Sequence, residues 1–121
     1  MGFSYKRNAR VGELLMEEIA NILLFGEVND PRLKNVVITG VNMSDDLSHA
    51  RIFFTSMDKD IPVNDILEGF DNAKGFIKRI LSRKMRLKKF PDLSFKFDES
   101  LEKGYRVDQI LKNRYKNEEN E

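Results

Sequence analysis

Residues 36–57, VVITGVNMSDDLSHARIFFTSM, set the architecture of this chain. Residues 36–43 are rich in Val, Ile and Thr, and residues 49–57 add Phe to the same kind of composition, so both predict strands. The five residues between them, Ser-Asp-Asp-Leu-Ser, are typical of a turn. Because this connection is short, the two strands are predicted to pair antiparallel.

Helical periodicity flanks this predicted hairpin on both sides. Residues 5–25 carry apolar side chains at spacings of three and four, which predicts one amphipathic helix. Residues 63–85 keep the same spacing, but Gly69 and Gly75 interrupt it. Each Gly inside a helix costs about 1 kcal/mol relative to Ala, so we predict two helices separated by a kink.

The C-terminal part of the chain completes one α+β domain. Alternating apolar and polar residues over 93–98 predict a half-buried third strand. Residues 101–115 predict a last helix, and the polar residues 116–121 predict a flexible tail. The predicted order is α–β–β–α–kink–α–β with a C-terminal helix, in a single domain over 1–115. A length of 121 residues suits one domain of this size.

The composition argues against several kinds of catalytic and metal site. The chain has no Cys, which excludes a disulfide scaffold, a thiolate zinc site and a cysteine nucleophile. His49 is the sole His, so neither a His-based metal cluster nor a catalytic triad is expected. The adjacent carboxylates Asp45 and Asp46 are more typical of a turn than of a metal site. We therefore predict a protein that is not an enzyme and that needs no metal and no cofactor.

Signals for a membrane or for secretion are not found in the sequence. The longest apolar run, residues 19–25, is much too short to span a bilayer. The first residues lack the basic segment, apolar core and small-residue cleavage site of a secretory signal. We therefore expect a cytoplasmic protein with no membrane partner. No spare apolar stripe is evident, which favours a monomer.

Four Phe residues on the predicted strands have two alternative roles. Exposed aromatic side chains on a sheet stack bases in some RNA-binding folds. In a three-stranded sheet covered by helices, burial in the core is the favoured interpretation. The four residues are Phe53, Phe54, Phe95 and Phe97.

The net charge of +1 hides a strong segregation of charge along the chain. Residues 11–73 carry four basic and twelve acidic side chains, whereas residues 74–116 carry fourteen basic and five acidic ones. Residues 74–89 hold eight Lys or Arg and no acid. A solvated helix face usually mixes the two signs in i,i+4 pairs, so this run favours a surface that binds a polyanion.

The basic run coincides with helical periodicity, and a step of about 100° per residue sorts its side chains. One arc is apolar and holds Phe76, Ile77, Ile80 and Leu81. The opposite half is cationic and holds Lys74, Lys78, Arg79, Arg83 and Arg86. Phosphate contacts carry little sequence information, so this pattern predicts affinity for RNA or DNA without a sequence code. The alternative is a protein-interaction module whose basic face binds an acidic protein partner.

The order of the predicted elements resembles the type II KH domain, which clamps a nucleotide backbone with a GXXG loop. The helix junction here, Ala73-Lys74-Gly75, lacks the first glycine of that loop. In this respect the chain resembles the ribosome-binding factor A family, in which an Ala-x-Gly kink replaces GXXG. Other segments resemble the family in matching order: Arg7-Asn8-Ala9-Arg10-Val11, Asp30-Pro31-Arg32-Leu33, residues 43–52, and Phe90-Pro91-Asp92-Leu93-Ser94-Phe95.

This resemblance implies a single KH-like (type II) domain with its kink at Ala73 and Gly75. It implies a non-enzymatic factor that binds the immature small ribosomal subunit and its precursor rRNA, with no DNA partner expected. Such a factor would assist late rRNA maturation, including 5′-end processing, and would matter most in the cold. The resemblance also implies rRNA contacts at Arg7, Arg10, Lys74, Lys78, Arg79, Arg83 and Arg86.

Overall fold

Two long helices and a three-stranded sheet make up the described part of the chain. The computed structural model describes residues 2–99, with side chains from residue 7 onwards. The elements are α1 (Gly2–Leu24), β1 (Val36–Met43), β2 (His49–Ser56), α2 (Val63–Lys84) and β3 (Asp92–Phe97). All three strands agree with their predicted ranges to within one residue. The helix predicted for 101–115 and the tail predicted for 116–121 lie outside the described residues.

The sheet has the order β1-β2-β3. β1 and β2 pair antiparallel, as the short turn between them predicts, whereas β3 pairs parallel to β2. A parallel neighbour needs a crossover connection, and α2 provides it. The register between β1 and β2 shifts between Ile38 and Gly40. At this irregularity the hydroxyl of Thr39 donates to Asp98 Oδ2 at 2.7 Å, which ties β1 to the end of β3.

The core lies between the sheet and the two helices, and aromatic rings form its centre. Phe54 of β2 and Phe70 of α2 are fully buried, with ring centroids 5.1 Å apart. Phe95 of β3 stacks on Phe70 at 4.1 Å, and Phe97 meets Phe54 edge to face at 5.9 Å. The core interpretation is therefore confirmed for Phe54, Phe95 and Phe97. Phe53 is half-buried and points to the other face of the sheet, because successive residues of a strand alternate.

The prediction of two helices over residues 63–85 is wrong, because α2 runs without interruption through Ala73 and Gly75. Two interior glycines cost about 2 kcal/mol together relative to Ala. Burying one large apolar side chain contributes about 1.5–3 kcal/mol, and a stripe of such residues follows one side of α2. The stripe is Ile66, Phe70, Ala73, Ile77 and Leu81. Tertiary packing along the whole helix thus outweighs the local preference of glycine.

Gly69 allows the chain before β1 to approach α2 closely. A Cβ at this position would lie 3.2 Å from Leu33 Cδ2 and 3.2 Å from Asp30 Oδ2. Asp30 accepts hydrogen bonds from the backbone N–H and the guanidinium of Arg32, and these bonds lower the pKa of its carboxyl. The same bonds hold the short 3₁₀ turn Pro31–Leu33 that leads into β1. A Cβ on α2 where this turn crosses it would therefore force Leu33 and Asp30 to shift by a few tenths of an ångström.

We expect Gly75→Ala to raise the free energy of unfolding by about 0.5–1 kcal/mol, because Ala is the better helix former. A Cβ at Gly75 meets no atom within 4 Å, so the gain is not offset by a clash. The matched control is Gly69→Ala in the same helix, where the Leu33 and Asp30 contacts oppose the gain. Urea unfolding of both variants measures the difference. Equal stabilisation at the two positions would contradict this account of α2.

The turn between β1 and β2 is closed by one carboxylate. Asp46 Oδ1 accepts from Ser44 Oγ at 2.8 Å and from Ser48 Oγ at 2.7 Å. The bonds from Ser48 and Ser44 lower the pKa of Asp46 to about 2, so the group stays ionised at a more acidic pH than an ordinary Asp. Asp46 therefore acts as the turn former expected from the sequence. The neighbouring Asp45 accepts from Asn8 Nδ2 at 3.4 Å, which joins this turn to α1.

Candidate nucleic-acid interface

The second half of α2 carries its cations along two lines. Lys74 and Lys78 are four residues apart and lie on the flank toward β3, where Lys78 Nζ is 3.1 Å from Asp92 Oδ1. This hydrogen bond lowers the pKa of Asp92. Arg79 and Arg83 form the second line, about 100° further round the helix. Both arginines are exposed.

The two lines differ in their intramolecular partners. Lys78 has its ion pair with Asp92, although both side chains remain partly exposed. Within the described part of the chain, neither Arg79 nor Arg83 forms an ion pair. Exposed arginines without a carboxylate partner keep all their donors for an external anion.

The cations of residues 74–89, together called the basic surface, continue beyond the end of α2 into the following loop. Lys84, which the helical pattern places among apolar residues, extends to Glu18 Oε2 of α1 at 3.5 Å. Arg86 lies just beyond the helix and is exposed. Lys84 is thus partly neutralised by α1, while Arg86 is available for a phosphate.

Tertiary structure brings the start of α1 beside this loop. Arg7 lines a hollow of about 350 Å³ together with Lys88 and Lys89, and the turn carboxylates Asp45 and Asp46 form its other side. Arg10 follows Arg7 on α1 and is exposed as well. The fold therefore groups Arg7 with the basic run, although about 80 residues separate them in sequence. Lys88 and Lys89 were not among the predicted contacts, because both follow the segment with helical periodicity.

Phe76 departs from the predicted apolar arc. Its side chain is 43% exposed, whereas its neighbour Ile77 is fully buried. Phe76 precedes Arg79 by three residues and Arg83 by seven, so all three lie on the same side of α2. The sequence pattern placed Phe76 in the apolar arc with Ile77, Ile80 and Leu81, but the core covers only part of that arc.

The arrangement fits the binding of a polyanion better than catalysis. His49 is exposed, and its Nε2 lies 3.0 Å from Ser94 Oγ. Among the described residues, no group of three His, Cys, Asp or Glu side chains is placed to hold a metal ion. Neither described helix is long and apolar enough to cross a membrane.

From Lys74 to Lys84 the cations extend over roughly 15 Å of helix, at about 1.5 Å per residue, so they can meet several phosphates together.

Comparisons with known proteins agree on one family. Residues 7–111 match the family described as Ribosome-binding factor A. The protein of that name from Syntrophus aciditrophicus (strain SB) is 44% identical over 117 residues, which cover 97% of this chain and 94% of the relative.

Solved structures of proteins with the same name share the fold. The crystal structure of ribosome-binding factor A from Thermus thermophilus has a TM-score of 0.64 at 21% identity, covering 74% of this chain and 93% of that one. A homology model of the Thermus thermophilus protein, fitted into the cryo-electron microscopy map of its 30S complex, has a TM-score of 0.63 at 21% identity. It covers 76% of this chain and 96% of that one.

Proposed function

The chain belongs to the ribosome-binding factor A family, and we propose from this membership that it binds the small ribosomal subunit through rRNA. The Thermus thermophilus relative described above has been fitted into a 30S complex, which supports the same partner for this chain. We propose further that the target is the immature subunit and its precursor rRNA, in the cytoplasm. The protein would act there as a monomer that assists late maturation, including 5′-end processing, most of all in the cold.

One observation carries this proposal: a run of eight cations without an acid, most of them exposed along α2 and the loop after it. Phosphate groups are the ligands that exposed Lys and Arg bind most generally, by charge-assisted hydrogen bonds. The proposed contacts are Arg7, Arg10, Lys74, Lys78, Arg79, Arg83 and Arg86, with Lys88 and Lys89 added from their position beside Arg7. The proposed role is binding without catalysis: all members of this set are Lys or Arg, which hold phosphate groups as charged hydrogen-bond donors.

We also propose that the domain is KH-like, with the Ala73–Gly75 segment in the place of a GXXG loop. Gly75 is exposed and has open space where a Cβ would lie, which supports a close approach of an RNA backbone there. A bend of α2 at this segment would direct the cations of its second half toward the RNA. On this proposal, Gly75→Ala weakens RNA binding while it stabilises the helix.

The test of the function is co-sedimentation of the protein with purified small subunits over a range of salt concentrations. If about five phosphates are engaged, the affinity falls by roughly 100- to 500-fold between 50 and 200 mM salt, because each contact releases counterions. Immature and mature subunits are compared side by side, and tighter binding to the immature form is expected. A flat salt response, or binding that survives nuclease digestion of the rRNA, would instead favour a protein partner.

A further inference from the structure

We propose that the basic surface takes single-stranded RNA, with one unpaired base stacked on the ring of Phe76 next to Arg79 and Arg83. The inference rests on the proposed rRNA binding and adds the class of RNA and the residue that recognises it. Stacking on an aromatic side chain requires a base that is free of its own duplex. The surface would therefore select loops, bulges or strand ends of rRNA.

The position of Phe76 is the first support. The neighbouring Ala73, Ile77 and Leu81 are buried in the core, whereas 43% of Phe76 stays in contact with solvent. Its ring is thus not needed to fill the space between α2 and the sheet. An aromatic side chain of this kind offers a flat apolar surface that every base can use.

The surroundings of Phe76 are the second support. Arg79 and Arg83 are exposed on the same side of α2, one turn apart, and neither forms an ion pair within the described residues. Gly75 precedes the ring, and no atom lies within 4 Å of the place where its Cβ would be. A base on Phe76 would therefore have a phosphate-binding arginine on its helix and an open backbone next to it. Duplex RNA could reach the arginines, but its bases are already stacked and would leave the ring unused.

The chain contains no Trp, so a single Trp placed at this site reports on stacking directly. Phe76→Trp is titrated with a single-stranded oligouridylate and, separately, with an RNA duplex of the same length. Met57→Trp is the control, since Met57 is 74% exposed at the end of β2, outside the basic surface. We expect the single strand to quench the fluorescence of the Phe76→Trp protein strongly. The duplex should bind without this quenching, and the Met57→Trp protein should stay unchanged with both RNAs.

A second pair of variants tests the contribution of the Phe76 ring to RNA affinity without an introduced Trp. Phe76→Leu should lower the affinity for the single strand by about 5- to 150-fold, the equivalent of the 1–3 kcal/mol that stacking contributes per base. Phe76→Tyr keeps the ring and should keep the affinity. The affinity for duplex RNA should be the same in all of these proteins. Anisotropy of a fluorescently labelled RNA gives each value.

The outcomes separate this inference from the function on which it rests. If RNA binds but Phe76→Trp is not quenched and Phe76→Leu binds normally, the stacking inference fails and the rRNA-binding proposal stands. If neither the unaltered protein nor any of the variants binds RNA, the rRNA-binding proposal fails. Equal quenching by duplex and single strand would also overturn the inference. So would a Phe76→Leu protein that loses small subunits but keeps RNA, because Phe76 would then contact a protein.

Discussion

Reversing both arginines, in the variant Arg79→Glu with Arg83→Glu, should lower the affinity for rRNA and for small subunits by a hundred-fold or more. A hydrogen bond to a charged group contributes about 1.5–3 kcal/mol, and this variant removes two of them. The new carboxylates also repel the phosphates that the arginines would bind. The loss should exceed that from reversing Lys78 and Lys84, because those lysines pair with Asp92 and Glu18, whereas neither arginine has an ion pair among the described residues.

The folded state should survive this double reversal. Neither arginine is buried, and exposed substitutions usually change stability by less than about 0.5 kcal/mol. Arg83 lies in the last turn of α2, where a helix dipole favours cations, so its reversal adds a cost of about 0.3–1 kcal/mol. Urea unfolding and circular dichroism check that the domain remains folded under the binding conditions.

A matched control separates the position of the charges from their number. Lys34→Glu with Arg51→Glu changes the net charge by the same amount, and both residues are exposed outside the basic surface. Arg51 lies on the face of the sheet opposite the helices. We expect this control to bind small subunits nearly as well as the unaltered protein. An equal loss in both double variants would indicate attraction by overall charge, and retained binding in the arginine variant would move the interface elsewhere.

The elements of the fold could be predicted from the sequence because each depends on local preferences. Residues 36–43 are rich in Val, Ile and Thr, residues 49–57 add Phe, and the turn between them contains its own closing group, Asp46. The prediction of two helices over residues 63–85 was wrong because the structure there depends on long-range packing. The free-energy cost of Gly69 and Gly75 inside a helix predicts a break. The burial of the apolar stripe of α2 and the close approach of Leu33 to Gly69 depend instead on residues distant in sequence. The apolar spacing is visible within residues 63–85, but the free energy gained by burying it is not, because that burial depends on the sheet.

The candidate site could likewise be predicted only in part. The cations of residues 74–89 form one acid-free run, so their grouping is visible without coordinates. The position of Arg7 beside Lys88 arises only because α1 packs along the sheet. Likewise, the pairing of Lys78 with Asp92 requires β3 to lie next to α2. The exposure of Phe76 depends on how far the core extends around the helix, which periodicity does not define.

Phe70→Ala should have the largest effect on stability, with a loss of about 3–5 kcal/mol. Phe70 is fully buried, its ring stacks on Phe95 at 4.1 Å, and it meets Phe54 at 5.1 Å. It therefore joins α2 to both β2 and β3. Domains of this size have a total stability of about 5–15 kcal/mol, so a loss this large would leave a substantial unfolded population under mild denaturing conditions.

Urea unfolding measures this loss as a lower midpoint, and Phe25→Ala is the control because Phe25 is 72% exposed. The control should stay within about 0.5 kcal/mol of the unaltered protein. A loss below about 1.5 kcal/mol for Phe70→Ala would mean that the aromatic cluster does not hold α2 against the sheet. The crossover helix carries the proposed RNA contacts, so its attachment to β3 also determines where those contacts point. Phe70→Ala should therefore weaken RNA binding in proportion to the unfolded fraction, and no further if the folded molecules keep α2 in place.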